Sequence, residues 1–399
     1  MLDVLVDMTA LNTPSRERGI GRYVKGLCRA LAERDTWSRE LGAPVAPPLT
    51  IFGLTRHKGR VAGAVDEALT FAGDPRIRVS NFQYQRHKME RRLFLGGLAR
   101  RIGPRLLHLP DPPGTPFDMR QPRIVTCHDL IPLVLARQYL APLPGARALQ
   151  WLRDSARYRS ALRVIAISEA TRADLIRHVG VAPERIDVVH SGVDHERFNA
   201  IASDGEPAHV RQKLGFTEPF LLCLGASDAR KNLPLLVQAF AQSGTAKDVR
   251  LVFAGPISKR QRARLEQTIQ AENVAHSVHV LGYIEDALLV SLYRSCLAHV
   301  FPSSYEGFGL PILEAMACGA PTLTSSVSSL GEVAGEAALM VPELTEDALA
   351  RAIAQIVSDA ELRDQLRARG LEHVKGFTWQ RCAEQTLQSY RRALNEVSK

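Results

Sequence analysis

A chain of 399 residues with 45% hydrophobic content is longer than one hydrophobic core usually serves, and predicts two globular domains. Its opening, MLDVLVDMTALN, sets acids within a short apolar run, and no uncharged apolar stretch approaches the roughly 18 residues of a membrane span, so neither a secretion signal nor a transmembrane helix is expected. Six cysteines (Cys28, Cys127, Cys223, Cys296, Cys318, Cys382) stand singly without a CxxC pair, which argues against a disulfide frame or zinc site and for reduced core thiols in a cytoplasmic protein.

The net charge of +9 is uneven: residues 1 to 200 hold 31 Lys and Arg against 20 Asp and Glu (+11), and the rest hold 20 against 22 (−2). The first predicted strand, LDVLVDM, is followed by RERGIGRYVKGL, residues 16 to 27. Gly19 and Gly21 let a backbone approach a ligand, although glycines also simply make turns; Arg22 and Tyr23 follow them. Strands are predicted next at PLTIFGL, RLLHLPD, RIVTCHD, LRVIAIS and IDVVHSGV, β-branched runs separated by amphipathic stretches, as in parallel strands joined by helices. Residues 85 to 107, QRHKMERRLFLGGLARRIGPRLL, set seven cations (Arg86, Lys88, Arg91, Arg92, Arg100, Arg101, Arg105) against Glu90, with Met89, Leu93, Phe94, Leu98 and Ile102 near helical spacing. Two readings stand: a helix packed on its own sheet with a solvated basic face, or a basic amphipathic surface for anionic lipid, with Gly96 and Gly97 weakening a continuous helix. In TCHDLIP, His128 and Asp129 end a strand, where a histidine is commonly structural. Ser168 and Glu169 end the strand LRVIAIS similarly.

The polar segment ERFNAIASDGEPAHV near residue 200 reads as a linker. The strand series then restarts with PFLLCLGAS, VRLVFAGP, VHVLGYI, LAHVFPS and APTLTSS. Two series predict two doubly wound α/β domains, whose ligands gather at strand carboxyl ends. After the first of these strands, CLGASDARKNLPLLVQAF offers Arg230 and Lys231, either a solvated helix start or a cation pair for phosphate oxygens. Tyr283 follows the strand VHVLG. In FPSSYEGFGLPILEAMACG, Pro311 suits a first helical turn, placing Gly307, Phe308, Gly309 and Leu310 at a helix N-terminus that favours an anion. A turn and helix account for the glycines and proline, but not for Glu306 in the loop and Glu314 one turn in, a carboxylate able to accept from sugar hydroxyls. In residues 376 to 397, Cys382, Leu387, Tyr390 and Leu394 recur at helical spacing and predict a helix with one buried face.

The E-x7-E segment EGFGLPILE, with the other motifs in the same order, resembles the signature of retaining, nucleotide-sugar-dependent family 4 glycosyltransferases of the GT-B fold, over nearly the whole chain. The resemblance implies an α/β fold of two doubly wound Rossmann-like domains facing an interdomain cleft. Residues 1-195 would form the N-terminal, acceptor-side domain, with a C-terminal helix, 376-399, packing back on it; residues 196-375 would bind the nucleotide sugar. It implies Glu314 on the ribose, Glu306 on the transferred sugar, and Arg230 and Lys231 on the diphosphate, with Gly307, Phe308, Gly309 and Leu310 also on the donor side. Gly19 and Gly21 would approach the donor phosphates, His128 and Asp129 the sugar, Tyr283 the base, and Arg22, Tyr23 and Ser168 the acceptor. One departure is Ala226, where many members carry an arginine after the strand's glycine; Lys231 is then the safer assignment, and Arg230 the compensating charge.

The implied reaction moves a sugar to a glycan hydroxyl with retention by a front-face route, the diphosphate helping to remove the acceptor proton. No acid or histidine cluster has metal-site spacing and no DxD stands between strands, so neither metal nor cofactor is expected, the donor being a co-substrate. The stretches CHDLIPLVLARQYL and DMTALNTPSRERGIGRY most resemble bacterial mannosyltransferase-like members that build O-antigen and related polysaccharides, which ranks GDP-mannose first and UDP sugars second. Expected partners are the donor, a lipid-linked glycan acceptor and an anionic membrane surface met through residues 85-107, without nucleic acid. The expected location is cytoplasmic, with peripheral contact on the inner face of the cell membrane. The rivals are a phosphorylase or nucleotide-sugar epimerase on the same architecture, and a basic nucleic-acid-binding protein, which rests on charge alone.

Overall fold

The apolar runs of the first half become strands, and the central ones are buried on both faces. In the computed structural model, which describes residues 3–12, 19–33, 51–57, 60–62, 93, 95–97, 99–115, 120–140, 145–224 and 228–397, these are Val4–Asp7 (β1), Ile51–His57 (β2), Arg60–Ala62 (β3), Leu106–Leu109 (β4), Arg123–Cys127 (β5), Arg163–Ala166 (β6) and Ile186–Val188 (β7). They form one sheet in the order β3-β2-β1-β4-β5-β6-β7, with β1 paired in parallel to both neighbours and only the short β3 antiparallel. Leu5, Leu107, Val125 and Val164 build its core from adjacent strands, as expected for a parallel sheet covered on both faces. The chain divides into two units, Met1–Gly192 with Thr378–Lys399, and Val193–Phe377; this sheet belongs to the first.

The helix Trp379–Val397 packs on the helix Gly19–Ala32 and on β4, β5 and β6. Its buried residues include Cys382, Leu387, Tyr390 and Leu394. One polar and one packing device fix it. Asp187 of β7 takes two bonds from Arg163, Nε to Oδ2 and Nη2 to Oδ1, each 2.7 Å, and adds Ser389 Oγ at 2.8 Å and Arg392 Nη1 at 2.5 Å from the helix. Trp379 lies against Gly26, where an added Cβ would stand 2.2 Å from the indole ring. Of the 85–107 stretch, Arg86, Lys88, Arg91 and Arg92 lie outside the described residues. The described part turns Leu95 and Ala99 inward and leaves Leu93 and Ile102 exposed, a different face from the one read by spacing. Arg105 is held by Asp3 at 3.1 Å.

The second unit repeats the plan with Phe220–Leu224 (β8), Arg250–Ala254 (β9), Val278–Gly282 (β10), Ala298–Phe301 (β11), Thr322–Ser325 (β12) and Leu339–Val341 (β13). Their order is β10-β9-β8-β11-β12-β13, parallel throughout. The polar segment 196–210 is no loose linker. Arg294 donates to Asn199 O at 2.7 Å, Asn199 Oδ1 at 2.8 Å and Glu206 Oε2 at 2.9 Å, and Phe198 is buried against Tyr293. A guanidinium 88 to 95 residues downstream thus holds a segment whose own composition reads as a linker.

Candidate active site

In the second unit the chain leaves β8, passes through Gly225, Ala226 and Ser227, which lie outside the described residues, and makes a single 3-10 turn, Ala229–Lys231. Asp228 caps that turn, accepting from Arg230 N at 3.2 Å and Arg230 Nε at 3.1 Å. Asn232 closes it in the left-handed region, φ 53°, a conformation asparagine tolerates better than most residues. Its amide donates to Pro302 O at 2.9 Å, while Ser304 N donates to Arg230 O at 2.8 Å. These bonds tie the turn after β8 to the loop after β11.

That loop carries Glu306. Its Oε1 receives Lys231 Nζ at 2.6 Å and Ser303 Oγ at 2.6 Å, and also pairs with Arg230 Nη1. Arg230 Nη1 donates to Tyr305 O at 2.9 Å as well. Glu306 and Lys231 do not stand open to solvent, being only 8% and 9% exposed. The two cations hold Glu306 below the usual carboxylate range although burial pushes it up, whereas burial lowers Lys231 against the pull of Glu306. Beneath them, Lys231 Nζ sits 4.0 Å from the centre of the Phe301 ring. His299, fully buried on β11, is pushed down to about 3 by burial first and by Lys231 second, so the floor of the site adds no further positive charge.

The helix Leu310–Ala317 follows, with Pro311 in its first turn. Gly309 caps it at φ 110°, a conformation that demands glycine, and a Cβ there would also require Leu330 Cδ2, 2.9 Å away, to shift. Ser329 Oγ donates to Glu306 O and Phe308 O, each at 2.9 Å, and Ser328 Oγ accepts from Glu306 N at 2.9 Å. Glu314 is 3% exposed on this helix. Leu310 begins it, and Gly307 and Phe308 are buried just before it. Tyr283 follows β10 and is 78% exposed. Sequence reasoning missed Asp228 and Ser303, which act within their own turn and loop, and Asn232, Ser328 and Ser329, whose partners lie in another loop.

In the first unit His128 directly follows β5. Its Nε2 lies 2.7 Å from Pro110 O; a carbonyl can only accept, so Nε2 carries the proton. Burial lowers the pKa of the ring, which leaves Nδ1 as an acceptor at neutral pH. Asp129 Oδ1 accepts from Ile131 N at 3.1 Å. Tyr23 stands edge-on to His128, ring centres 4.9 Å apart, and edge-on to Trp379 at 6.0 Å. At 1% exposure it buttresses the histidine and offers no surface to an acceptor. Its hydroxyl lies 3.4 Å from Thr126 Oγ1, which lies 2.9 Å from His108 Nε2, and His108 Nδ1 lies 2.7 Å from Tyr390 OH. Ser168 is likewise a structural group, fully buried and capping a helix by accepting from Thr171 N at 3.0 Å. Gly19 and Gly21 begin the helix Gly19–Ala32, Gly19 exposed and Gly21 buried; Arg22 is half-buried beside them, and the loop before them lies outside the described residues.

Two family models match in succession: Glycosyltransferase Family 4 over residues 18–197 and Glycosyl transferases group 1 over residues 208–373. The chain is a family 4 glycosyltransferase family member. It is similar to the serotype-specific mannosyltransferase WbdA of Escherichia coli, 31% identical over 276 residues, which are 68% of this chain and 33% of that protein. It is also similar to O-antigen chain mannosyltransferase B of Escherichia coli, 32% identical over 234 residues, 58% of this chain and 61% of that one. The matches thus span about a third of the first relative and under two thirds of the second. Sucrose-phosphate synthase from Thermosynechococcus elongatus superposes with a TM-score of 0.74, covering 99% of this chain and 100% of that one, at 23% identity. At that identity the likeness is one of fold, and the fold is GT-B. For a family 4 chain, the β11 loop and the helix Leu310–Ala317 carry the E-x7-E segment.

Proposed function

We propose that this chain transfers a hexose, mannose first, from a nucleoside diphosphate donor to a hydroxyl of a lipid-linked or growing glycan, with retention of anomeric configuration. One observation carries the reading: Arg230 and Lys231 converge from the turn after β8 on Glu306 in the loop that leads into the Gly309-capped helix. A diphosphate leaving group needs preorganised positive charge, and charge-assisted bonds from a guanidinium and an ammonium supply it without a metal. Glu306 aligns the two cations and contacts the transferred sugar, and Glu314 accepts from the ribose hydroxyls. In the first unit His128, with its acceptor nitrogen, contacts the sugar, and Asp129 fixes the chain beside it. The mannosyltransferase names of two relatives support GDP-mannose over UDP sugars and an O-antigen-type glycan as product. Arg100, Arg101 and Arg105 of residues 85–107 belong to this reading as anionic-lipid contacts.

Thermal shift with GDP, UDP and their sugars tests it, since a ligand at 100 times its Kd stabilises by about 2.7 kcal/mol. The reading expects GDP and GDP-mannose to raise Tm most. A rise with UDP sugars alone would replace the donor, and no rise with any nucleotide would remove the reading.

A further inference from the structure

Among the described residues, three that are not glycine have a positive φ: Asn232, Asn273 and Ser328. Asparagine tolerates left-handed backbone better than other residues that carry a side chain, so the first two are ordinary. Ser328 is not. Its φ of 51° and ψ of −132° fall at the first inner position of a turn that Leu330 N closes on Val327 O at 3.1 Å. Those angles are of type II′, a turn whose first inner residue is normally glycine. Serine there is strained, and such strain persists only where the surroundings hold it. Burial does not explain the choice, because Ser328 is only half-buried.

What serine has and glycine lacks is a hydroxyl, and Ser328 Oγ accepts from Glu306 N at 2.9 Å. The next residue, Ser329, is fully buried and donates to Glu306 O at 2.9 Å. The turn after β12 thus grips the main chain of Glu306 by both its N–H and its carbonyl, while Ser303, Lys231 and Arg230 converge on its carboxylate. If that main chain shifts, the carboxylate shifts too, and with it the two cations that would meet the leaving diphosphate. Such charge contacts strengthen as the diphosphate departs, so misplacing them lowers kcat more than it raises KM. We propose that Ser328 is a positioning residue of the transfer: its strained turn is kept because the hydroxyl fixes Glu306. The inference rests on the role given above to Glu306 and its cations.

Two variants separate positioning from simple support. Ser328→Gly and Ser328→Ala both lack the hydroxyl, but only glycine relaxes the turn. Without donor, Ser328→Gly is expected to melt at least about 2 °C above Ser328→Ala. With GDP-mannose, or whichever UDP sugar the unmodified chain uses, both are expected to lose about tenfold in kcat, with donor KM changed less than about twofold. Turnover and stability therefore part company: the two variants share the kinetic loss and differ in Tm. The proposal is overturned if kcat follows Tm, so that Ser328→Gly transfers like the unmodified chain and only Ser328→Ala is slow. It is also overturned if Ser328→Gly melts no higher than Ser328→Ala, or if the loss in both variants falls on KM alone. An unmodified chain that transfers from no donor removes the reading of the site and this inference with it, whereas variants as active as a transferring unmodified chain remove the inference alone.

Discussion

Lys231 Nζ donates to Glu306 Oε1 at 2.6 Å across 75 residues of sequence, with both side chains nearly excluded from solvent. Removing Glu306 strands the buried ammonium of Lys231, which typically costs about 3–5 kcal/mol, whereas removing Lys231 costs less because Arg230 still pairs with Glu306. Lys231→Ala and Glu306→Ala are therefore expected to lose turnover and also to melt lower. Lys231→Met/Glu306→Gln, which removes both charges, should recover most of the stability and none of the activity. Melting curves beside rate measurements decide; near-wild-type transfer by any of the three removes the pair from the mechanism.

Glu314 is placed on the ribose, a contact made alike in ground and transition states. Glu314→Gln keeps the side chain's shape on the buried helix face and is expected to raise the donor KM about tenfold with kcat little changed. Initial rates over a range of donor concentrations provide the check. A fall in kcat at constant KM would assign Glu314 to the chemical step instead.

Asp187 fastens the C-terminal helix through Arg163, Ser389 and Arg392. Burial alone would raise its pKa, but bonds from Arg163 and Ser389 bring it below the usual aspartate range. Its folded value is depressed, so its stabilisation is complete above the unfolded value of about 3.9 and is lost as pH falls through the folded one. The stability gap between the unmodified chain and Asp187→Asn, about 3 kcal/mol or more at neutral pH by analogy with broken buried pairs, should hold to about pH 5 and shrink below about pH 4. Urea unfolding across that range measures it, and a gap constant to about pH 3 would contradict the linkage.

Gly26 and Gly192 make room for Trp379 in different ways. A Cβ on Gly26 would meet the indole at 2.2 Å, and one on Gly192 would meet the Trp379 backbone nitrogen at 2.3 Å. Overpacking of this kind costs about 1–3 kcal/mol. Trp379→Leu should therefore relieve part of the cost of Gly26→Ala, giving a non-additive pair, and should give Gly192→Ala no relief. Four melting curves suffice, and equal rescue of both glycines would contradict the geometry.

The central strands are legible in sequence because a strand covered on both faces must be largely apolar, as VLV of β1 and FLLCL of β8 are. β3 and β13, three residues each, escape that reading, although the equally short β7 does not. Gly309, Pro311 and the helix they start are also legible, since backbone conformation dictates those residue types locally. The burial of Glu306 is not, because it depends on Lys231 and Arg230 arriving from another strand end. The same holds for Tyr23, which reads as a loop-side tyrosine but is enclosed by His128 and by Trp379 from the far end of the chain. The burial of Asp154 and Ser155 and the exposure of Leu149 and Leu152 on the helix Ala146–Arg159 escape a reading that assumes apolar residues point inward.

The most direct test of the proposed transfer is product analysis with GDP-mannose labelled in the sugar, a lipid-linked glycan acceptor and the full chain. The account predicts label in the glycan, release of GDP in equal amount, and an α-linkage by the anomeric coupling in NMR. Label recovered only as an epimerised nucleotide sugar or a sugar phosphate, or no transfer to glycan from any GDP or UDP sugar, would contradict it.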